Sequence, residues 1–566
     1  MGLISERYHR ATKSILSKSF LRFIFCTEMK NKPQHKVTLR MTTDTWLTPT
    51  EAWSAKIYSN GWKKPGLGTA DVTEKATGAK LGEIGIASPE DVSAAAAAAR
   101  QAQKSWAKVA GPKRGDVLRE LSRLLLAHSD EIADQIIRET GSIRAKAQWE
   151  VQMATREFLE AAALGSQPRG ILTADLEAGR QSIARRIPVG VIGIITPWNS
   201  PFILGARMIG PALAMGNAVI LKPDVQTPVA GGVTFACLLE AAGLPNGLFH
   251  VLPGGPETGA ALVKEPLVDM ISFTGSTRVG RQVGSIAGGQ LKRVSLELGG
   301  NNPYIVLDDA DIEAAASAGA WGAFFHQGQI CLTAGRHLVQ ERVADAYAEA
   351  LVRKAKALVV GDPFDEKVQV GPIINERQAA NVERIVAETI AKGAKVLTGG
   401  SRKGLFFEPT VITGVTPGMA AFDEKRFGPV AVITTFGNDE EALALANATD
   451  YGLVAAVVSA DLARAQRVAD GLHSGACVAS ICTSAFKSGA VPPCGAASST
   501  ILDEEHRLSR SVHSFFRAVR VFLSVLVDSS AFQEVSLGRE VSIAFTSNGP
   551  LIYRWEANNG EQRDPI

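Results

Sequence analysis

The sequence predicts an α/β fold in which helices cover both faces of a parallel sheet. Between residues 188 and 273, short apolar segments of strand length alternate with longer helical segments. The apolar segments carry almost no polar side chains, which is typical of strands that are buried on both faces. The 566-residue chain is 46% hydrophobic and 21% charged, so it has enough apolar material for a large core.

The individual elements follow in chain order. Ser88-Pro89-Glu90-Asp91 begins an alanine-rich helix, because serine caps free amides, proline suits the first turn and acids favour the positive helix end. Helical pattern continues through 115–165. The alternating region then comprises strand 188–195, helix 201–215, strand 218–221, helix 228–242, strand 248–252, helix 257–265 and strand 270–273. A second α/β region contains helix 342–358 and strand 430–436.

Charge and cysteine usage exclude several classes of function. The formal net charge of +3 gives no reason to expect a nucleic-acid partner or an anionic membrane. No apolar run reaches the ~18 residues that a membrane span requires. The cysteines are sparse and lack metal-type spacing with histidines, so we expect reduced thiols, no bound metal and a cytoplasmic location. The six cysteines are Cys26, Cys237, Cys331, Cys477, Cys482 and Cys494.

The N-terminal segment has two interpretations. Residues 1–40 contain nine Lys or Arg and two Asp or Glu, with Ser and Phe among them, which suits a mitochondrial transit peptide. The alternative, which we favour, is an upstream extension ahead of a start at Met41.

Five short segments with reactive or flexible residues stand out. Thr196-Pro-Trp-Asn, Lys222-Pro-Asp and Phe273-Thr-Gly-Ser follow the predicted strands directly, where parallel sheets bind their ligands. Glu297-Leu-Gly-Gly and Gly328-Gln-Ile-Cys331 come next, and their Glu and Cys are 34 residues apart.

Each segment alone also has an ordinary structural explanation. The Gly-Ser-Thr turn binds a pyrophosphate or is only a turn. Lys222 contacts a ribose or is solvated, and Glu297 is a general base or a surface acid. Asn199 stabilises an oxyanion or caps the next helix. Cys331, between Ile330 and Leu332, is a nucleophile or a core thiol.

Taken together and in this order, the segments resemble those of the aldehyde dehydrogenase superfamily. The resemblance covers about residues 55–478 and includes Gly216-Asn-Ala-Val-Ile-Leu-Lys-Pro and Gly243-Leu-Pro-Asn-Gly. The pattern Lys-Pro-Asp-x-Gln-Thr-Pro from Lys222 is similar to that of the benzaldehyde and vanillin dehydrogenase branch.

The resemblance implies a catalytic mechanism. Cys331, as a thiolate, attacks the aldehyde carbon. The side-chain amide of Asn199 and the backbone N–H of Cys331 stabilise the oxyanion. Hydride transfer to a nicotinamide leaves a thioester, which water activated by Glu297 hydrolyses.

The resemblance also implies the binding residues. Lys222 contacts the adenine ribose and Ser276 the pyrophosphate, while Ser200 and Phe325 line a substrate tunnel that suits aromatic aldehydes. Medium aliphatic aldehydes are the second choice, and Phe325 as an ordinary core residue is the alternative to a tunnel wall. The cofactor-binding residues are expected to be Thr196, Trp198, Lys222, Gly275, Ser276 and Phe427.

The implied architecture is aldehyde dehydrogenase-like, with a Rossmann-type parallel-sheet cofactor domain, an α/β catalytic domain and a small oligomerisation hairpin. Residues 1–50 form an N-terminal extension that is expected to be disordered. The expected domains are the NAD(P)-binding domain at 51–165 and 188–298, the hairpin at 166–187, the catalytic domain at 299–478 and a divergent C-terminal tail at 479–566. Family members are commonly homodimers or homotetramers.

Three departures from the family pattern qualify these expectations. Val225 replaces a glutamate that grips the ribose 2′-hydroxyl and would repel a 2′-phosphate, so NADP is possible as cofactor. We nevertheless expect NAD, because the benzaldehyde and vanillin dehydrogenase branch commonly uses it. Lys425 replaces the second glutamate of Glu-Glu-x-Phe-Gly-Pro, which predicts reduced turnover. From about residue 479 only Val491-Pro-Pro-Cys-Gly echoes the family, which suggests a frameshifted or replaced tail. A catalytically impaired, cofactor-binding protein is therefore the main alternative function, and a nucleic-acid binder is a remote third.

Overall fold

The computed structural model describes residues 49–173, 180–480 and 498–501. The basic N-terminal segment and most of the C-terminal tail lie outside the described residues. So do the predictions made for Cys26, Cys482 and Cys494.

The predicted parallel sheet forms the centre of the first half of the chain. It has seven strands, and its first five run parallel. Two short strands from the start of the described chain extend it in antiparallel pairing. In spatial order the strands are Arg293–Glu297, Met270–Thr274, Val191–Ile195, Ala218–Lys222, Phe249–Val251, Ile57–Ser59 and Trp62–Lys63.

Helices pack on this sheet close to where the sequence pattern predicts them. The Ser88 hydroxyl accepts a hydrogen bond from Asp91 N, and the Asp91 carboxylate accepts one from Ser88 N, so the predicted cap is a reciprocal capping box. The helices of this half are Thr50–Trp53, Pro89–Trp106, Gly111–Ala127, Ser129–Thr140, Arg144–Leu164, Pro201–Ala214, Thr234–Ala241, Pro256–Lys264 and Thr277–Gly289.

The predicted helix 228–242 differs in its first turn, which is the π-helix Val229–Val233. Its first two amides donate to the buried carboxylate of Glu139, at 3.1 Å from Val229 N and 2.6 Å from Ala230 N. Burial raises the pKa of Glu139 to about 7, against the lowering effect of these hydrogen bonds. A carboxylate from a distant helix therefore caps this turn, which local pattern does not encode.

The second half of the chain builds an eight-stranded mixed sheet. Its central strands are parallel, and an antiparallel strand closes each edge. In spatial order the strands are Lys395–Thr398, Thr410–Thr413, Val430–Phe436, Ala334–Gln340, Asn302–Val306, Ala455–Val458, Cys477–Ser480 and Ser498–Ile501. Its helices are Ile312–Phe324, the 3-10 turn Phe325–Gly328, Glu341–Ala357, Glu376–Ala391, Ala420–Asp423, Asp439–Asn447 and Leu462–Asp470.

Among the described residues, three two-stranded hairpins stand apart from the large sheets. The hairpin of Gly170–Thr173 and Ser182–Arg185 exposes Ile171 (65%), Leu172 (67%) and Ile183 (51%) to solvent. Such a cluster of exposed apolar side chains is unusual on a monomer surface. The other two hairpins pair Thr69–Thr73 with Lys80–Gly85 and Arg402–Lys403 with Phe406–Phe407.

Two kinds of feature are absent from the described part of the chain. None of its helices combines the length and apolar character needed to cross a membrane. Nor does any group of three or more His, Cys, Asp or Glu side chains in it have a geometry that could hold a metal ion.

Candidate active site

The carboxyl ends of the parallel strands bring the first set of predicted residues to one edge of the sheet. Ile195 pairs in register with Phe273 on one side and with Lys222 on the other. Glu297 pairs with Thr274 at the end of the outermost strand. The segments that follow these strands therefore share this edge, where doubly wound sheets bind their ligands.

Lys222 is buried at this edge rather than solvated. Its Nζ donates to the carbonyl oxygens of Gly254 at 2.7 Å and Pro223 at 3.2 Å. Burial lowers the pKa of Lys222 below its ordinary value. The two carbonyls replace the hydrogen bonds that the amine would make to water, so the side chain can remain buried.

The turn after strand Met270–Thr274 exposes the start of a helix. Ser276 is the N-cap of helix Thr277–Gly289, and its hydroxyl accepts a hydrogen bond from Val279 N at 3.4 Å. Gly275 lies so close to the Phe273 ring that a Cβ there would press on it. The helix therefore starts with amides directed at the sheet edge, a geometry that suits a phosphate group.

The same edge contains polar atoms that fit a dinucleotide. The hydroxyl oxygens of Thr196 and Thr274 are buried and have no hydrogen-bond partner among the described residues. Buried hydroxyls without partners are costly, so a bound group that pairs with them stabilises the site. Together with Lys222 and the helix start at Ser276, they form a suitable set of contacts for ribose and pyrophosphate.

Cys331 follows a strained turn. His326, Gln327 and Gly328 have φ angles of +51°, +55° and +67°, and a Cβ at Gly328 would overlap the carbonyl of Gly428. Gln327 fixes the turn, because its Nε2 donates to the carbonyls of Gly141 at 2.6 Å and Pro372 at 2.8 Å. This turn connects helix Ile312–Phe324 to the loop that contains Cys331, whose free thiol is half-buried.

Asn199 lies beside this turn and does not cap a helix. The helix Pro201–Ala214 has Ser200 as its N-cap residue, without a side-chain cap. The Asn199 side chain is only 4% exposed, and its Nδ2 donates to the carbonyl of Gln329 at 2.9 Å. The Asn199 amide group is thus fixed by the residue two positions before Cys331, and its second N–H is available to donate.

A buried support that the sequence analysis missed holds the backbone of Asn199. Its carbonyl accepts hydrogen bonds from Lys146 Nζ at 3.0 Å and His326 Nε2 at 2.8 Å. Burial lowers the pKa of His326 well below its ordinary value, so this ring is neutral and its Nε2 carries the proton. Lys146 also forms a buried ion pair with Glu150, whose carboxylate accepts from Phe202 N at 2.8 Å.

One part of this support is visible in the sequence. Lys146 and Glu150 are one helical turn apart on a face that otherwise carries apolar residues such as Ala147 and Val151. Charged residues at core positions need a partner, so this spacing indicates a buried pair. The contact with Asn199 is 53 residues away in sequence, and no local pattern indicates it.

Glu297 ends the outermost parallel strand. Burial raises the pKa of its carboxyl to about 7, and Arg207 acts in the opposite direction. A carboxyl group with a pKa near neutrality is present partly as the base and partly as the acid at physiological pH. This property suits a general base that must release its proton again.

Lys425 reaches the residue proposed as nucleophile. Its Nζ lies 3.4 Å from the carbonyl oxygen of Cys331 and 4.9 Å from the centroid of the Phe427 ring. The same amine lies against Gly299, two residues after Glu297. Burial lowers the pKa of Lys425 to about 8, with Arg426 adding to this effect and Cys331 opposing it.

The segment around Lys425 is fixed by the buried Arg426 and by Gln378, which the sequence analysis also missed. The Arg426 guanidinium donates to the carbonyls of Ala421 and Gly335 and to the side chain of Asn301. Gln378 Nε2 donates to the Phe427 carbonyl at 3.0 Å, and Phe427 has a φ of +49°. The ring of Phe427 meets Trp198 edge to face at 5.2 Å, which links this loop to the sheet edge.

The structure thus joins the chain segments of Cys331, Asn199 and Glu297. Gln329 connects Asn199 to the Cys331 loop, and Lys425 contacts both Cys331 and Gly299.

The two residues predicted to line the substrate tunnel differ in environment. Ser200 is buried at the start of its helix, whereas Phe325 is partly exposed and stacks on Trp321 at 5.1 Å.

Comparison with known proteins gives consistent matches. The sequence profile described as "Aldehyde dehydrogenase family" matches residues 62–518, and so extends into the tail that we treated as divergent. A vanillin dehydrogenase from Amycolatopsis is 49% identical over 75% of this chain and 87% of that protein. A benzaldehyde dehydrogenase [NAD(+)] from Pseudomonas putida is 47% identical over the same shares.

Solved structures agree with the sequence relatives. An NAD-dependent benzaldehyde dehydrogenase from Corynebacterium glutamicum has a TM-score of 0.72 at 38% identity, over 75% of this chain and 93% of that one. A betaine aldehyde dehydrogenase from Staphylococcus aureus in complex with NAD+ has a TM-score of 0.74 at 32% identity, over 76% and 88%. The chain therefore belongs to the aldehyde dehydrogenase family, with its NAD(P)-dependent aldehyde chemistry and its α/β fold, as the resemblance predicted.

Proposed function

We propose that this protein oxidises aromatic aldehydes to carboxylic acids, with Cys331 as the nucleophile and NAD as the preferred cofactor. The observation that carries the proposal is the junction at the Cys331 loop. The Asn199 side-chain amide is hydrogen-bonded to the Gln329 carbonyl there, and Lys425 lies beside both the Cys331 carbonyl and Gly299, two residues after Glu297. These residue types are the ones that acyl-transfer chemistry through a thioester requires.

The proposed mechanism assigns one role to each residue. Cys331 attacks the carbonyl carbon as a thiolate, and the second N–H of the Asn199 amide and the backbone N–H of Cys331 donate to the oxyanion. The bound nicotinamide supplies the hydride acceptor. The acyl group then remains on Cys331 as a thioester. Glu297 takes a proton from water, which attacks the thioester and releases the carboxylate.

The proposed cofactor contacts follow from the sheet edge. Lys222, whose backbone carbonyl accepts a hydrogen bond from Thr196 N at 3.2 Å, is assigned to the ribose side together with the Thr196 hydroxyl, and Gly275 and Ser276 are assigned to the pyrophosphate. Trp198 and Phe427, which touch each other, flank the crevice. Val225 leaves no carboxylate to repel a 2′-phosphate, so NADP is the secondary cofactor of the proposal.

The proposed substrate class rests on relatives and on two side chains. The named relatives at 47–49% identity act on vanillin and benzaldehyde. We assign Ser200, a small side chain, to the space beside the nucleophile, and Phe325, which stacks on Trp321, to the aromatic wall of the substrate tunnel.

One observation favours a second candidate function. Lys425 places a positive group beside Cys331, where the family pattern has a carboxylate. If this positive charge hinders the positioning of the nicotinamide ribose, the protein binds its cofactor but turns over slowly.

A single assay distinguishes the two candidates. Purified protein is mixed with benzaldehyde, with a medium-chain aliphatic aldehyde and with either NAD or NADP, and NADH or NADPH formation is followed by absorbance. We expect the highest kcat/KM with benzaldehyde and NAD. Cofactor binding by calorimetry without any turnover would instead support the impaired protein, and faster turnover of the aliphatic aldehyde would refute the aromatic assignment.

The remaining assignments are proposals of the same kind. We assign residues 51–165 and 188–298 to cofactor binding, 299–478 to catalysis and 166–187 to oligomerisation as a homodimer or homotetramer. The exposed Ile171, Leu172 and Ile183 support the last assignment, because pairing would cover them. A cytoplasmic location is supported by the free thiols of Cys237, Cys331 and Cys477.

A further inference from the structure

Three lysines are buried or half-buried near the candidate active site, and they differ in their partners. Lys146 forms an ion pair with Glu150, and Lys222 donates to two carbonyl oxygens at 2.7 and 3.2 Å. Within the described part of the chain, Lys425 has no carboxylate partner and one long hydrogen bond, at 3.4 Å, to the carbonyl of Cys331. Of these three amines, Lys425 would therefore lose the fewest stabilising interactions on reacting with a carbonyl compound.

The surroundings of Lys425 favour a neutral amine. The Phe427 ring and Gly299 remove water from it without supplying negative charge. The charged and titratable groups around it are Cys331, Arg426, Glu424 and Tyr451, and Tyr451 bonds to the Lys425 backbone. The Glu424 carboxylate is directed away, because it pairs with Arg384 at 2.5 Å.

We propose that Lys425 forms a reversible imine with the aldehyde substrate, so that the enzyme captures its own substrate in an unproductive state. A lysine that is desolvated beside a carbonyl site is the usual origin of Schiff-base chemistry in proteins. Lys425 is only half-buried, and its Nζ lies beside the residue that the aldehyde must approach. The identity of the aldehyde as aromatic rests on the proposed function.

The step balances without an oxidant or a cofactor. The amine lone pair attacks the carbonyl carbon, and a carbon–nitrogen bond forms. The two protons of the neutral amine pass to the carbonyl oxygen, its bonds to carbon are replaced by the carbon–nitrogen double bond, and it leaves as water. Because the same carbon cannot be held by Cys331 at that time, imine formation competes with oxidation.

The expected pH dependence separates Lys425 from surface lysines. With its pKa at about 8, about half of the Lys425 amine is neutral at pH 8. An exposed lysine with a pKa of about 10.4 has a neutral fraction that is about 100-fold smaller at that pH. Labelling at pH 8 should therefore select Lys425.

The test uses the full chain with Cys331→Ala, so that oxidation does not consume the aldehyde. The protein is incubated with benzaldehyde and cyanoborohydride, which converts an imine to a stable benzylamine, and the modified lysines are mapped by peptide mass spectrometry. We expect modification at Lys425 with a midpoint near pH 8, and none at Lys146. Modification spread evenly over surface lysines, or no modification at Lys425, would overturn the proposal.

A matched variant tests the consequence for turnover. Lys425→Arg keeps the positive charge but forms no imine. We expect NADH formation by the unmodified protein to fall with time at high benzaldehyde concentration, more at pH 8.5 than at pH 6.5, and Lys425→Arg to lose this inhibition. Equal inhibition in both proteins contradicts the proposal. The labelling requires no oxidation, so a failure of the dehydrogenase assignment remains distinguishable from a failure of the imine.

Discussion

Two regions meet at the Cys331 loop, and they differ in how their buried charges are compensated. Around Asn199, Lys146 pairs with Glu150, and Glu150 also caps the helix that begins at Pro201. Around Lys425, the buried cations Arg336 and Arg426 are satisfied by carbonyls and amides, and Lys425 itself has little compensation. The first region is a rigid support for an amide, whereas the second leaves a lysine beside the nucleophile without a carboxylate partner among the described residues.

The largest expected effect concerns the residue that both regions share. Cys331→Ala should lower NADH formation by more than about 10³-fold, because loss of a covalent nucleophile removes the entire reaction path. Steady-state assays with benzaldehyde measure the change. Cys477→Ala, which removes another free but buried thiol, is the control and should stay within about threefold of the unaltered rate. Similar losses in the two variants would argue that folding, rather than chemistry, is affected.

The contrast in charge compensation predicts different stabilities. Lys146→Met strands the buried Glu150 carboxylate and should lower the free energy of unfolding by about 3–5 kcal/mol. Lys425→Met removes an uncompensated cation and should change it by less than about 1 kcal/mol. Urea unfolding followed by circular dichroism gives both values. Equal destabilisation would remove the proposed difference between the regions.

The Asn199 side chain, which the first region holds in place, should stabilise the transition state. Asn199→Ala is expected to lower kcat by about 10²–10³-fold, as the loss of one oxyanion donor does in other enzymes. The KM for benzaldehyde should change much less, because the donor acts on charge that develops during the reaction. A rise in KM with an unchanged kcat would indicate that Asn199 only positions the substrate.

The carboxyl of Glu297 sets an expected pH dependence. Its pKa is raised to about 7, so the base form is present above pH 7 and is lost as the pH falls through that value. We expect the rate of thioester hydrolysis to fall about tenfold per pH unit below pH 6.5, and Glu297→Gln to abolish this dependence along with most of the rate. Stopped-flow measurement of the acyl-enzyme decay tests this. An unchanged profile in Glu297→Gln means that another group titrates.

The smallest expected effect comes from Lys425, the residue that departs from the family pattern in its loop. Lys425→Glu restores the charge of the family pattern and should raise kcat by about three- to tenfold, equivalent to about 0.7–1.4 kcal/mol. The KM for NAD should fall in the same experiment, because a carboxylate accepts hydrogen bonds from ribose hydroxyls. Unchanged kinetics would refute the idea that Lys425 impairs turnover.

The sequence by itself determined the order of the elements around the parallel sheet. The apolar strands and their helices were predicted to within a few residues, because each is encoded by a local period of hydrophobicity and by caps such as Ser88. The strand ends also placed Lys222, Ser276 and Glu297 at one edge, since register follows from parallel pairing. The family assignment depended on these same local segments.

The tertiary structure alone decided how the side chains at that edge are held. The contacts of Asn199 with Lys146 and His326 join positions 53 and 127 residues apart, and the approach of Lys425 to Cys331 spans 94 residues. The π-turn over Glu139 and the strained turn before Cys331 have the same origin, in groups from distant helices and loops. Hydrophobic period encodes which face of an element is buried, but hydrogen bonds and desolvation depend on which distant groups the fold brings against it.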